Sequence, residues 1–165
     1  MGLKIAGTGH RPNKLGGYSD DAFNKLVEIA EYNLNRIGLA KDIHVISGMA
    51  LGWDMALAQA AVNLNLPLIC AVPFSGQESV WSKKSQDKYN ELIAKATEVV
   101  IISEGGFSNE KMQIRNVWMV DNCDLIFAMH DGTIGGTNNC VKYAEKVGKR
   151  LINLYSQFNR TEINK

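Results

Sequence analysis

Three features of the chain predict an α/β fold of Rossmann type, a three-layer sandwich around a mainly parallel sheet of about six strands. Short apolar runs such as Ile43-His44-Val45-Ile46 and Leu68-Ile69-Cys70-Ala71-Val72 recur along it, separated by segments whose apolar residues have helical spacing. Several runs are nearly continuous, as strands buried on both faces should be. Most runs empty into a loop of glycine and small polar residues, and folds of this type bind their ligands beyond such strand ends.

In chain order, Leu3 to Gly7 reads as the first strand, followed by the donor-rich loop Thr8-Gly9-His10-Arg11-Pro12. From Asp21 to Ile37, apolar residues at Phe23, Leu26, Val27, Ile29, Ala30, Leu34 and Ile37 predict an amphipathic helix, with Ser19 or Asp20 as N-cap and Gly38 as terminator. Ile43 to Ile46 is the second strand; Ser47 to Gly52 is a small-residue loop before a helix from Trp53 to Asn65. Leu68 to Val72 is the third strand, ending at Pro73-Phe74-Ser75-Gly76-Gln77, and a polar stretch with Trp81 and Tyr89 leads into a helix ending near Ala96. Glu98 to Ile102 is the fourth strand, with a loop from Ser103 to Asn109 and a helix from about Glu110 to Asn122 that carries Arg115-Asn116. Asp124 to Met129 is the fifth strand. A glycine-rich turn, Asp131 to Thr137, precedes a helix from Asn138 that stops at Gly148, with Lys149 and Arg150 at its negative end. Leu151 to Tyr155 is the sixth strand, and the residues from Ser156 read as a polar, frayed tail. One Rossmann-like domain over residues 1–156 and a tail over 157–165 are expected.

The 165 residues are enough to bury a substantial core, and 45% apolar with 21% charged residues fit a soluble globular chain. A net charge of +1 argues against duplex nucleic acid as a partner. Cys70, Cys123 and Cys140 form no C-x-x-C pair, so buried reduced thiols and a cytoplasmic location are expected, with no metal and no cofactor. No apolar run approaches the roughly 20 residues of a membrane span.

The strand-end loops nominate the site. In Asp131-Gly132-Thr133-Ile134-Gly135-Gly136-Thr137, the glycines let the backbone take positive φ and approach a ligand, and the following helix start offers unpaired N–H groups suited to phosphate. Thr8, Gly9, His10 and Arg11 can hold phosphate or ribose through charge-assisted hydrogen bonds. His10 is a candidate general base, a phosphate donor or a satisfied loop histidine. Gly48, Leu51 and Gly52 form a candidate second anion-binding turn, with Asp54 either in the site or capping the helix. Pro73, Phe74, Gln77 and Trp81 follow the third strand; Phe74 and Trp81 can stack on a base or serve as core. Arg115, beside Asn116, needs an anionic partner, either a ligand phosphate or Asp121 or Asp131.

These blocks, Gly7 to Arg11, Ser47 to Asp54, Val72-Pro73-Phe74 with Gln77 and Trp81, Arg115-Asn116 with Trp118 to Asp121, and Asp131-Gly132 with Gly135-Gly136-Thr137, resemble the YpsA-like branch of the SLOG superfamily, which also includes DprA-like and LOG proteins. The resemblance runs from Ile5 to Leu154. It implies a Rossmann-like fold binding nucleotides or nucleotide-derived ligands, commonly as a homo-oligomer. The apolar residues Val117, Trp118 and Met119 are read either as a self-association face or, equally, as core. LOG-type enzymes carry an acidic residue soon after their glycine-rich segment, whereas Asn138-Asn139-Cys140 follows it here. Binding of a nucleotide-derived ligand of ADP-ribose or cyclic-nucleotide type, as sensor, carrier or sequestering protein, is therefore the leading expectation. Phosphoribohydrolase activity on nucleoside monophosphates and single-stranded DNA binding are the alternatives.

Overall fold

A computed structural model describes residues 2–38 and 42–163, the last three by backbone alone. Strands β1 (Leu3–Gly9), β2 (Ile43–Ser47), β3 (Leu68–Phe74), β4 (Glu98–Ser103), β5 (Leu125–Met129) and β6 (Arg150–Asn153) alternate with helices α1 (Asp20–Gly38), α2 (Trp53–Asn63), α3 (Lys83–Lys95), α4 (Asn109–Asp121) and α5 (Gly136–Lys146). Helix α6 (Tyr155–Ile163) closes the chain. The strands form one parallel sheet in the order β4-β3-β2-β1-β5-β6. The chain therefore walks outward from β1 to β4, then returns to the other side of β1. That reversal opens a crevice between the carboxyl ends of β1 and β5, the place where such sheets bind ligands.

Alternation along the strands divides the core into two layers. Ile5, Val45, Cys70, Val72, Leu125 and Phe127 face α1, α2, α3 and α6, whereas Ala6, Ile46, Ala71 and Ile126 face α4 and α5. This explains the continuous apolar runs, since both faces of the central strands are covered. The three cysteines are free and buried, and burial pushes the Cys70 thiol up to about 12. Among the described residues no helix is long and apolar enough to cross a membrane.

Ser19 Oγ accepts from Ala22 N at the start of α1, and Gly148 follows α5 at φ +72°, as a C-terminal glycine should. The expected frayed tail is instead helical from Tyr155, because Leu154 and Phe158, 1% and 3% exposed, anchor it to the core against α1. Lys25 Nζ lies 4.1 Å from the centre of the Phe158 ring. Residues 164 and 165 of that tail lie outside the described residues. Met119 belongs to the core and Trp118 packs partly against it, so neither is a free apolar face.

Candidate functional site

The crevice is closed at one end by a chain of hydrogen bonds between the loops after β1 and β5. His10 Nε2 lies 2.7 Å from Asp131 Oδ1. The same oxygen accepts from Thr133 N at 2.9 Å and from Thr133 Oγ1 at 2.6 Å, and Lys14 Nζ donates to Thr133 Oγ1. The Thr133 hydroxyl and amide, with His10 adding to them, hold the Asp131 carboxyl well below the usual carboxylate range. Burial lowers the His10 pKa, and the Asp131 bond and charge only partly oppose it.

Behind this rim is a polar cleft of ≈ 250 Å³. Its floor holds Thr8, Asp54, Arg115 and Asn116; α5 begins at its wall with Gly135, Gly136 and Thr137. No acidic residue stands in the first turn of α5, so its positive end and unpaired amides are left without a carboxylate on their own helix. The Arg11 guanidinium is exposed at the mouth and has no hydrogen-bond or ion-pair partner among the described residues.

Arg115 and Asp54 are both buried, at 4% and 5% exposure, and meet around Gly48. Arg115 Nη1 donates to Gly48 O at 2.5 Å and its Nε to Asn116 Oδ1 at 3.2 Å, while Asp54 Oδ2 accepts from Ala50 N at 3.4 Å. A Cβ at residue 48 would sit 2.6 Å from Arg115 Nη1 and 2.9 Å from Asp54 Oδ2, so any side chain there would have to displace the ends of both. Burial raises the Asp54 pKa and lowers that of Arg115, and each charge opposes the shift of the other. Asp54 is thus the carboxylate whose charge acts on Arg115, without a salt bridge between the two among the described residues. Of the carboxylates expected instead, Asp121 binds Tyr143 and Asp131 binds His10. Asp54 lies inside the first turn of α2 rather than at its N-cap, which is Gly52.

Past Arg11 and Met112 the cleft opens into a hollow of ≈ 490 Å³ lined by Phe74, Gln77, Val80, Trp81 and Phe107. Phe74 and Phe107 meet edge to face at 6.0 Å, and Trp81 packs likewise on Tyr89 at 5.5 Å. Phe107 is 68% exposed, so a flat face is available beside Arg11.

The fold thus brings Thr8, Gly9, His10, Arg11, Asp54, Arg115, Asn116, Gly135, Gly136 and Thr137 to one cleft, with Phe74, Gln77 and Trp81 beside it. Asp131 closes the rim through His10. Gly48, Leu51, Gly52, Pro73 and Gly132 do not line it. The turn expected to be a second anion site does not open on this cleft: Trp53 N donates to His10 O at 3.3 Å, a Cβ at Gly52 would lie 2.5 Å from that same oxygen, and Leu51 and Gly52 line a separate hollow with Pro12, Phe23 and Met55. Gln77 spends its amide on Gly48 O and Met49 O. Sequence reasoning missed Asn13, Lys14, Met112, Phe107 and Ile134. Lys14 had a signal, since it follows Arg11 by one turn in the same strand-end loop; Phe107 had a weaker one, an aromatic residue in the glycine loop after β4.

The model of the YspA SLOG family matches residues 5–156. An uncharacterized SPbeta prophage-derived protein of Bacillus subtilis strain 168, YoqJ, is 35% identical over 132 residues, covering 69% of this chain and 77% of its own. Among solved structures, the DNA processing protein A of Streptococcus pneumoniae superposes with a TM-score of 0.65 at 17% identity, over 92% of this chain and 50% of the other. That of Helicobacter pylori, whose structure concerns a single-stranded DNA binding mode, gives 0.64 at 18% identity, over 92% and 64%. This chain thus spans half to two thirds of those two proteins, and at such identities they share its fold alone.

Proposed function

The chain belongs to the YspA SLOG family, and from that premise we propose that it binds a nucleotide-derived small ligand at the carboxyl edge of the sheet, as a sensor, carrier or sequestering protein. The observation that carries this reading is the acid-free N-terminus of α5 opening on a cleft whose mouth holds Arg11 and Lys14. A helix start with two cations beside it is matched to phosphate. The aromatic hollow joined to the cleft at Arg11 and Met112 gives a base somewhere to stack, and the two together suit a ligand of ADP-ribose or cyclic-nucleotide type.

Binding is favoured over phosphoribohydrolase chemistry by what the carboxylates are doing. Asp54 lines the cleft but faces Arg115, and Asp131 is taken by Thr133 and His10, while asparagines follow Thr137. An oxocarbenium-like sugar needs an uncommitted carboxylate near it. Calorimetric titration with AMP, ADP-ribose and cyclic AMP tests the reading. Saturable binding of at least one, weakened roughly 10- to 100-fold by Arg11→Ala as expected for a charged hydrogen bond, supports it; no heat from any of them with folded protein at millimolar ligand overturns it for these ligands. Release of free adenine from AMP would support the hydrolase instead. A gel shift with a salt-sensitive single-stranded oligonucleotide complex would support the DNA-binding reading.

A further inference from the structure

His10 lines the cleft beside the cations Arg11, Lys14 and Arg115, but unlike them it carries a nitrogen that can accept a hydrogen bond. Asp131 is ionised and fixed by two bonds from Thr133, so its oxygen 2.7 Å from His10 Nε2 requires a proton on that nitrogen. The Asp131 amide also points its proton at Nε2, at 3.1 Å, a bond the opposite tautomer would accept; the shorter contact to the ionised carboxylate is charge-assisted and sets the tautomer. A neutral imidazole carries one ring proton, so Nδ1 keeps a lone pair. His10 is 7% exposed, yet its Nδ1 has no hydrogen-bond partner and is not among the atoms sealed from solvent without one, among the described residues. The residue lines the polar cleft.

Resting on the binding reading above, we infer that His10 Nδ1 accepts a hydrogen bond from a ribose hydroxyl of the ligand, so that the site selects ribonucleotides over their deoxy counterparts. A phosphate diester or a fully ionised monoester has no proton to give, so near neutral pH a phosphate satisfies this atom poorly. A base can, but His10 lines the polar cleft and not the aromatic hollow. The sugar lies between the two. Phosphate then belongs to Arg11, Lys14 and the start of α5, and the expected role of His10 as a phosphate donor is set aside. The groups that act on the ring agree: Lys14 and His130, the latter 5.5 Å away ring to ring, work with burial against a second proton, and Asp131 alone works for it.

The test is titration of the whole chain with AMP, 2′-deoxy-AMP and 3′-deoxy-AMP, at neutral pH and again about one unit below the ordinary histidine pKa. The expected result is AMP tighter than at least one deoxy analogue by roughly 2- to 10-fold, the span of one net hydrogen bond, with the ratio falling to one in His10→Ala. Acidification should not tighten AMP binding through His10. Equal affinities in the wild type overturn the assignment and leave the nucleotide reading standing. So does a preference that survives His10→Ala, or a tightening at low pH that His10→Ala abolishes, which would make His10 a phosphate donor. Should His10→Ala fail to fold by thermal melting, the wild-type ratio and its pH response decide. Failure of AMP and both analogues to bind overturns the assignment; the nucleotide reading then falls only if ADP-ribose and cyclic AMP also fail to bind.

Discussion

Arg115 and Asp54 hold opposite charges at the floor of the cleft, each in a place where burial alone disfavours its ionised form. Removing one partner leaves the other buried and uncompensated, so Arg115→Ala should lose roughly 3–5 kcal/mol in urea unfolding. Arg11→Ala, at an exposed and unpaired cation, should stay within about 0.5 kcal/mol of wild type; equal stability of the two variants would contradict the roles assigned here. A second residue-scale prediction concerns acid. Asp131 is depressed in the folded state, so its stabilisation is present above its ordinary pKa of 3.8 and lost as pH falls below it. His10 is also lowered, from 6.5, so the unfolded chain binds its proton first and stability already declines as pH drops through that value. Thermal melts should therefore fall in two stages on acidification, the lower one reduced in Asp131→Asn, where Asp20, held down by Lys84, still contributes. Residue types were legible at this scale and partners were not. An arginine in a helix announces its need for an anion, but which carboxylate answers depends on α2 and α4 meeting at Gly48.

At the scale of elements, the first turn of α5 has two properties that a single change separates. Gly136 has ordinary φ and open space around its missing Cβ, so Gly136→Glu should be accommodated. A carboxylate there stabilises the helix by about 0.3–1 kcal/mol and repels a bound phosphate. The variant should melt no lower than wild type while losing nucleotide affinity; unchanged affinity would remove phosphate from this helix start. Helix α6 carries the other prediction at this scale. Phe158→Ala should cost roughly 3–5 kcal/mol, measured by chemical unfolding, whereas a frayed tail would show no change. Amphipathic patterning revealed α1 through its seven spaced apolar residues. It did not reveal α6, where, among the described side chains, Leu154 at its entry and Phe158 within it are the fully buried ones. Strand ends were read short at Gly7, Val72 and Ile102 because each strand continues into the glycine, proline or serine that the loop reading claimed.

Across the whole molecule, the alternation of strand and helix was readable because burial on both faces leaves continuous apolar runs. The order β4-β3-β2-β1-β5-β6 was not, since neighbouring parallel strands of similar composition carry little information about which pairs with which. Yet that order makes the site: it sets the loop after β1 against the loop after β5, and so His10 against Asp131 and Arg11 opposite the start of α5. It also removed the second glycine turn from the site by pressing Gly52 onto the His10 carbonyl. The central claim, a phosphate held at the start of α5, is tested most directly by following backbone amide resonances while ADP-ribose or AMP is titrated into the labelled chain. Saturable shifts concentrated at Gly135, Gly136, Thr137 and Arg11 are predicted. Saturable shifts confined elsewhere, for instance to the hollow between α1 and α6 lined by Tyr32, Arg36 and Arg160, would contradict it.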